Sequence, residues 1–227
     1  MLAAPTKARL MRELGSLAKD PPPGIAAYCP DSDITQIRAQ ISGPEGSPFE
    51  ASKGGVFLLT VSIAGRYPFE PPRCRFITPL YHPNVDSGGR ICLDTLKSPP
   101  AGSWSPAVGL PSLLLSIRSL MAEPNPDDAL VPELADFYKR DLKGWEREAR
   151  RRTALDATTD KLEKAESVLN GEVEQGEGAV AENGEGKDEA AVDAKTDGSA
   201  AGDTTKEGRP LEEKREENGR EAKRTKC

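Results

Sequence analysis

The chain is 227 residues long, 36% of them hydrophobic, with a formal net charge of -6 and a single histidine. No apolar run reaches the length that crosses a bilayer, and residues 1–17 lack the continuous apolar stretch of a signal peptide. The whole net charge falls on residues 171–227, which leaves an electrically balanced remainder. We therefore expect a soluble intracellular protein that contacts neither membranes nor nucleic acid directly.

Leucines at helical spacing lie near the N-terminus. Leu10, Leu14 and Leu17 share one face, with charged residues between them. The pattern stops at residues 20–23, where the sequence Asp-Pro-Pro-Pro ends a helix. An amphipathic first helix is predicted.

Alternating apolar residues then predict an antiparallel meander of three strands. Ile37, Ala39 and Ile41 alternate with polar residues, and Gly-Pro-Glu-Gly at 43–46 supplies a turn. A second alternating run covers 57–63, and a third strand is predicted at 74–77, after the proline-rich turn at 67–72.

The segment from 78 to 108 is rich in proline and glycine and shows no periodicity. A long irregular segment inside a compact domain is usually functional. After it, an apolar stripe over 110–121 predicts a buried helix, and two further helices are predicted near 131–138 and from 141 toward 162. Helix, sheet, loop and helices in this order indicate an α+β domain.

The composition changes after residue 170. Glycine, alanine, threonine and acidic residues dominate 171–205, and no aromatic residue follows Trp145. Such a segment cannot bury enough apolar surface to offset the entropy cost of ordering it. We predict a core domain at 1–155, a helical extension or linker at 156–170 and a disordered acidic tail at 171–227.

The four cysteines lack CxxC spacing, and one histidine cannot complete an ordinary zinc set, so neither disulfides nor a metal site is expected. Cys92 lies in the irregular segment, within reach of a large partner, which makes it the candidate nucleophile. Cys74 falls in a strand pattern and Cys29 precedes a proline, so both are interpreted as buried filler. No role is assigned to Cys227.

The irregular segment carries a specific motif, in which the tripeptide His82-Pro83-Asn84 is followed eight residues later by Cys92. This motif resembles that of ubiquitin-conjugating enzymes, as do Tyr-Pro-Phe at 67–69, Trp-Ser-Pro at 104–106 and Pro-Asn-Pro-Asp-Asp at 124–128. The resemblance spans roughly residues 5–153. It implies the ubiquitin-conjugating (UBC) fold, with an N-terminal helix, a meander sheet and helices packed on one side.

The resemblance implies that Cys92 carries ubiquitin as a thioester and passes it to a substrate lysine. Asn84 would either stabilise the oxyanion or order the loop, and the sequence does not separate these roles. Asp128 would lie near the incoming lysine, although with Asp127 it could instead cap the next helix. The loop-organising residues implied by the family are His82, Pro83, Leu93 and Asp94. For His82 this structural role is favoured over that of a general base.

The implied partners are ubiquitin, the ubiquitin-activating enzyme, a RING-type ligase and a protein substrate lysine. No tightly bound cofactor is expected, because ATP is consumed by the upstream activating enzyme. Basic residues on an amphipathic helix are equally compatible with a solvated face, but the resemblance implies a ligase-binding surface. Its residues are Arg9, Arg12, Arg66, Phe69, Ser105, Pro106 and Ala107.

The segment at 97–104 is longer than the minimal form of the family, and with Asp-Pro-Pro-Pro-Gly-Ile at 20–25 it resembles the T type. That type implies monoubiquitination in the nuclear Fanconi anaemia pathway of DNA crosslink repair. A nuclear or cytoplasmic location, with the nucleus favoured, is therefore expected. Lys97 lies five residues beyond Cys92 and is a candidate for self-modification on proximity alone.

Three other functions are compatible with parts of this pattern. A conjugating enzyme for another ubiquitin-like modifier is the nearest alternative. A thiol hydrolase would need an orienting partner for the single histidine, and none can be named. A non-catalytic variant of the fold would lack Cys92.

Overall fold

The computed structural model describes residues 2–50 and 54–171. Its elements in chain order are α1 (Ala4–Lys19), β1 (Ile25–Tyr28), β2 (Gln36–Ser42), β3 (Val56–Ser62), β4 (Arg73–Phe76), a 3₁₀ turn (Asp94–Leu96), α2 (Leu110–Ala122), α3 (Pro132–Arg140), α4 (Leu142–Asp156) and α5 (Thr159–Leu169). Three of the helices, α1, α2 and α3, carry a proline at the first or second position. Backbone N–H groups in the first turn have no intrahelical acceptor, so a proline there costs no hydrogen bond.

The four strands form one antiparallel sheet in the order β1-β2-β3-β4, which confirms the meander and the α+β class. Ile37 lies opposite Val61 and Ala39 opposite Leu59, so the apolar positions of β2 and β3 share a face. This inner face packs against α2, in which Leu110, Leu113 and Leu114 are almost completely buried. The sheet, α1 and α2 together enclose the main hydrophobic core.

Strand β1 was not predicted from the sequence. Its four residues, Ile-Ala-Ala-Tyr, follow three prolines and Gly24, and they contain too few large side chains to show an alternation. Pairing with β2 stabilises the strand, with Ile25 opposite Ile41. The predicted third strand at 74–77 corresponds to β4, shifted by one residue.

The prediction of a single helix from 141 toward 162 is wrong, because α4 ends at Asp156 and a separate helix begins at Thr159. Ala157 is 1% exposed, and its carbonyl oxygen accepts a hydrogen bond from the backbone N–H of Val56 at 3.4 Å. Thr158 then caps the next helix through its hydroxyl oxygen. A contact with a strand a hundred residues earlier therefore ends α4.

Helix α5 covers the outer face of the sheet. Leu58 points to the face opposite the core and is nevertheless fully buried, as is most of Leu162 on α5. Glu166 accepts hydrogen bonds from Tyr28 at 2.5 Å and from Gln40 at 2.8 Å, which connects α5 to β1 and β2. Residues 156–170 are thus mostly helical, while the boundaries proposed at 155 and 170 stay predictions.

Among the described residues, no helix is long and apolar enough to span a membrane. The predicted acidic tail lies outside the described residues, apart from Gly171, as does Cys227.

Candidate active site

A tight turn brings Cys92 next to Asn84. The carboxylate of Asp86 accepts hydrogen bonds from the backbone N–H groups of Gly88 and Arg90, and Val85 pairs with Ile91. As a result the backbone N–H of Cys92 donates to the carbonyl oxygen of Asn84 at 2.9 Å. The eight-residue spacing of the motif is therefore the length of a hairpin-like loop.

Gly89 makes that turn possible. Its φ is +75°, a region that residues with a side chain rarely adopt, and a Cβ there would lie 1.9 Å from the carbonyl oxygen of Phe76. The backbone of the turn is thus held directly against the end of β4.

Both ring nitrogens of His82 are used inside the core. Nδ1 accepts from the backbone N–H of Asn84 at 3.0 Å, and Nε2 lies 2.9 Å from the carbonyl oxygen of Leu120, to which it must donate. The residue is fully buried, and this burial lowers the pKa of its imidazole to about 4. A neutral ring with no free nitrogen cannot serve Cys92 as a general base.

The side-chain amide of Asn84 is also fully engaged. Nδ2 donates to the carbonyl oxygens of Asn125 and Asp128, at 2.7 and 2.8 Å, and Oδ1 accepts from the backbone N–H of Asn125 at 2.9 Å. Both hydrogens of the NH₂ group therefore order the segment 125–128. An oxyanion role would require one of these bonds to open.

The remaining loop-organising candidates also bond through the backbone. The carbonyl oxygen of Pro83 accepts from the N–H groups of Leu130 and Val131, both at 3.0 Å, and Leu93 packs against the core. The carbonyl oxygen of Asp94 accepts from Lys97 and Ser103, both at 3.0 Å.

Cys92, Lys97 and Asp128 meet at one carboxylate oxygen. Oδ2 of Asp128 lies 3.0 Å from Sγ of Cys92 and 2.8 Å from Nζ of Lys97. The thiol is half-buried, and the other two side chains are 34% and 52% exposed, so a partner can reach all three. Neither Asp127 nor Asp128 caps α3: the N-cap is Val131, and Asp127 pairs with Lys139 at 2.8 Å.

These contacts determine the protonation states. Partial burial, followed by the hydrogen bond to Asp128, raises the pKa of Cys92, and Lys97 only partly opposes this. The hydrogen bond from Lys97 lowers the pKa of Asp128, while the bond to Asp128 raises that of Lys97. At rest the cluster therefore holds a thiol, an ammonium group and a carboxylate, and the carboxylate is a weak base.

The other described cysteines are not hydrogen-bonded to this cluster. Cys29 and Cys74 are half-buried and packed against the core, and burial raises the pKa of Cys74 to about 12. The thiol of Cys74 therefore stays protonated at neutral pH and is a poor nucleophile. Among residues 2–50 and 54–171, no three His, Cys, Asp or Glu side chains are arranged to hold a metal ion.

The predicted ligase-binding residues come from α1 and from two loops. Phe69 is 73% exposed, and Arg66 pairs with Glu70 on the surface of the same loop. The residues Ser105, Pro106, Ala107 and Arg12 are likewise exposed. Arg9 is half-buried, because its guanidinium bonds to Glu13 and to the carbonyl oxygen of Val108.

Two residues important to these sites were missed in the sequence. Glu13 accepts from Arg9, from the hydroxyl of Tyr67 and from the backbone N–H of Leu110, so it connects α1 to both loops. Asn125 holds Asn84 through its backbone. The i,i+4 spacing of Arg9 and Glu13 is local. The other bonds join residues 41 to 97 positions apart, which no local pattern indicates.

The sequence matches the ubiquitin-conjugating enzyme family over residues 9–153. With a reachable cysteine framed by an ordered His-Pro-Asn loop, the chain belongs to the ubiquitin-conjugating enzyme family and has the predicted UBC fold.

Its similarity within the family is to members named "Ubiquitin-conjugating enzyme E2 T". The one from Xenopus laevis is 53% identical over 131 residues, which cover 58% of this chain and 67% of the relative. The one from Homo sapiens is 45% identical over 172 residues, covering 76% and 86%, and the one from Danio rerio is 46% identical over 146 residues, covering 64% and 74%. These similarities confirm the prediction of an E2 ubiquitin-conjugating enzyme of the T type and do not favour the carrier of another modifier.

Proposed function

We propose that Cys92 accepts ubiquitin from the activating enzyme as a thioester and transfers it to a substrate lysine with the help of a RING-type ligase. The observation that carries this proposal is the position of the Cys92 thiol, half-buried yet reachable and 3.0 Å from the carboxylate of Asp128. Among the described residues, neither Cys29 nor Cys74 hydrogen-bonds to a carboxylate or a cation.

The transfer step balances without a cofactor. The ammonium group of the substrate lysine first releases one proton to solvent. The neutral amine then attacks the thioester carbonyl carbon and forms the carbon–nitrogen bond, the carbon–sulfur bond breaks, and the sulfur leaves with the electron pair and takes up the second proton that the nitrogen loses. Asp128 would orient the incoming amine as an ammonium group rather than remove its proton, because the carboxylate is a weak base. We assign Asn84 to ordering this loop, since its donors are already engaged.

The proposed pathway, location and ligase-binding surface follow from the similarity to T-type ubiquitin-conjugating enzymes. We propose monoubiquitination in the repair of DNA crosslinks, a nuclear location, and ligase binding through α1, the Phe69 loop and residues 105–107. No tightly bound cofactor is proposed, because the activating enzyme consumes the ATP.

A charging assay with ubiquitin, activating enzyme and ATP tests the central step. We expect a reductant-sensitive adduct on the wild type, a reductant-stable ester on Cys92→Ser and no adduct on Cys92→Ala. Cys29→Ser is the matched control and should charge like the wild type. An adduct on Cys92→Ala, or charging only with another modifier, would contradict the proposal.

A further inference from the structure

The carboxylate proposed to orient the acceptor lysine is already bonded to a lysine of the same chain. Oδ2 of Asp128 accepts from Nζ of Lys97 at 2.8 Å and faces the thiol of Cys92 at 3.0 Å. A primary ammonium group thus occupies the place beside the nucleophile where a substrate ammonium would have to sit.

We propose that Lys97 is an internal competitor that occupies Asp128 until a substrate lysine displaces it, and that it thereby determines which lysines the enzyme accepts. This inference rests on the proposed function, in which Asp128 orients the acceptor. Lys97 is therefore a specificity-determining residue and not a catalytic one.

The backbone around Lys97 is held in place, which fixes the start of its side chain near Asp128. Its N–H donates to the carbonyl oxygen of Asp94 at 3.0 Å, and its own carbonyl oxygen accepts from Trp104 at 3.1 Å. Gly102 packs so closely that a Cβ there would lie 2.4 Å from the Cβ of Lys97. Only the flexible, partly exposed end of the side chain is free to move.

A second carboxylate is available to the displaced ammonium group. Oδ1 of Asp94 lies 3.8 Å from Nζ of Lys97, and that side chain is 68% exposed. When a substrate amine takes Asp128, Lys97 can pair with Asp94 and keep its charge balanced. The exchange therefore replaces one exposed ion pair by another and leaves no buried charge unpaired.

The competition favours lysines delivered by a docked protein. A free amine must displace Lys97 with no other contacts, whereas a substrate protein adds the free energy of its interface. While paired, Lys97 is also held as an ammonium group, which has no lone pair for attack on the thioester. The ion pair with Asp128 therefore opposes the modification of Lys97 itself.

The test measures discharge of the isolated Cys92–ubiquitin thioester to free lysine over a range of lysine concentrations. Lys97→Met removes the competitor and should lower the KM for lysine about three- to fivefold, as expected for loss of one exposed ion pair, at an unchanged saturating rate. Lys97→Arg keeps a cation on Asp128 and should restore the wild-type KM. Lys139→Met, which removes the similar ion pair with Asp127, is the matched control and should change nothing.

Several outcomes would overturn the inference: an unchanged KM in Lys97→Met, a lower saturating rate in that variant, or a KM in Lys97→Arg that is as low as in Lys97→Met. Lys97→Gln serves as a second neutral variant should Lys97→Met fold poorly. In an Asp128→Asn background the Lys97→Met effect should disappear, and its persistence would also refute the competition. Failure of the wild type to charge would instead contradict the proposed function.

Discussion

The side-chain amide of Asn84 donates to the backbone carbonyl oxygen of Asp128 at 2.8 Å, so the asparagine of the motif holds the segment whose carboxylate faces Cys92. The two halves of the candidate site are 44 residues apart in the chain and are joined at this bond. Positioning of the carboxylate therefore depends on a residue that does not itself face the thiol.

Removal of this amide should destabilise the protein and disorder the site. Asn84→Ala deletes three partly buried hydrogen bonds and leaves two carbonyl oxygens and the backbone N–H of Asn125 without these partners, so the free energy of unfolding should fall by about 2–3 kcal/mol in urea titrations. Asn125→Ala removes one exposed side-chain contact and should cost less than about 0.5 kcal/mol. Equal losses in the two variants would contradict the structural role of Asn84.

Neighbouring glycines in the turn before Cys92 should respond differently to alanine. Gly89→Ala places a Cβ against the carbonyl oxygen of Phe76 at a positive φ and should lower the free energy of unfolding by about 2 kcal/mol or more. Gly88→Ala meets only ordinary contacts at 3.4 Å and beyond, so it should be close to neutral. Thermal or urea unfolding of both variants checks this, and a neutral Gly89→Ala would show that the turn has another conformation.

The imidazole of His82 should remain neutral well below pH 6.5. Its pKa is lowered to about 4 by burial, so the unfolded chain binds a proton at higher pH than the folded one. The stability that the neutral ring contributes is therefore present above pH 6.5 and is lost as the pH falls toward 4. Because the chain has one histidine, NMR titration of its ring resonances is unambiguous. A midpoint near 6.5 would contradict the buried position.

Glu166 should hold α5 on the sheet. Glu166→Ala removes the acceptor of Tyr28 and Gln40, so we expect hydrogen exchange of the α5 amides to accelerate about three- to tenfold, while exchange in β2 and β3 stays unchanged. Glu163→Ala, an exposed position on the same helix, is the control. Equal acceleration in both variants would argue that helix propensity, and not contact with the sheet, stabilises α5.

Phe69 should matter for ligase binding and not for folding. Its side chain is 73% exposed, so Phe69→Ala should change the free energy of unfolding by less than about 0.5 kcal/mol but weaken ligase-stimulated discharge at least tenfold. Val168→Ala, at a site 63% exposed on α5, controls for the loss of surface apolar area. Unchanged stimulation in Phe69→Ala would exclude this residue from the interface.

The fold was predictable wherever neighbouring residues carry the information. The helical spacing of the leucines in α1 and α2 and the alternation in β2 and β3 arise from the geometry of each element by itself, and both patterns were identified. Strand β1 and the break between α4 and α5 were missed, because pairing with β2 stabilises the one and contact with Val56 produces the other.

For the candidate site, the sequence by itself indicated the candidate nucleophile and determined the length of its loop, since the motif from His82 to Cys92 is one continuous segment whose spacing is a turn length. Only the tertiary structure decided what surrounds the thiol. Lys97 and Asp128 are 31 residues apart, and a local pattern reports only on residues within a few positions. Their ion pair, and with it the protonation state of the site, exists because the packed core brings two distant loops together.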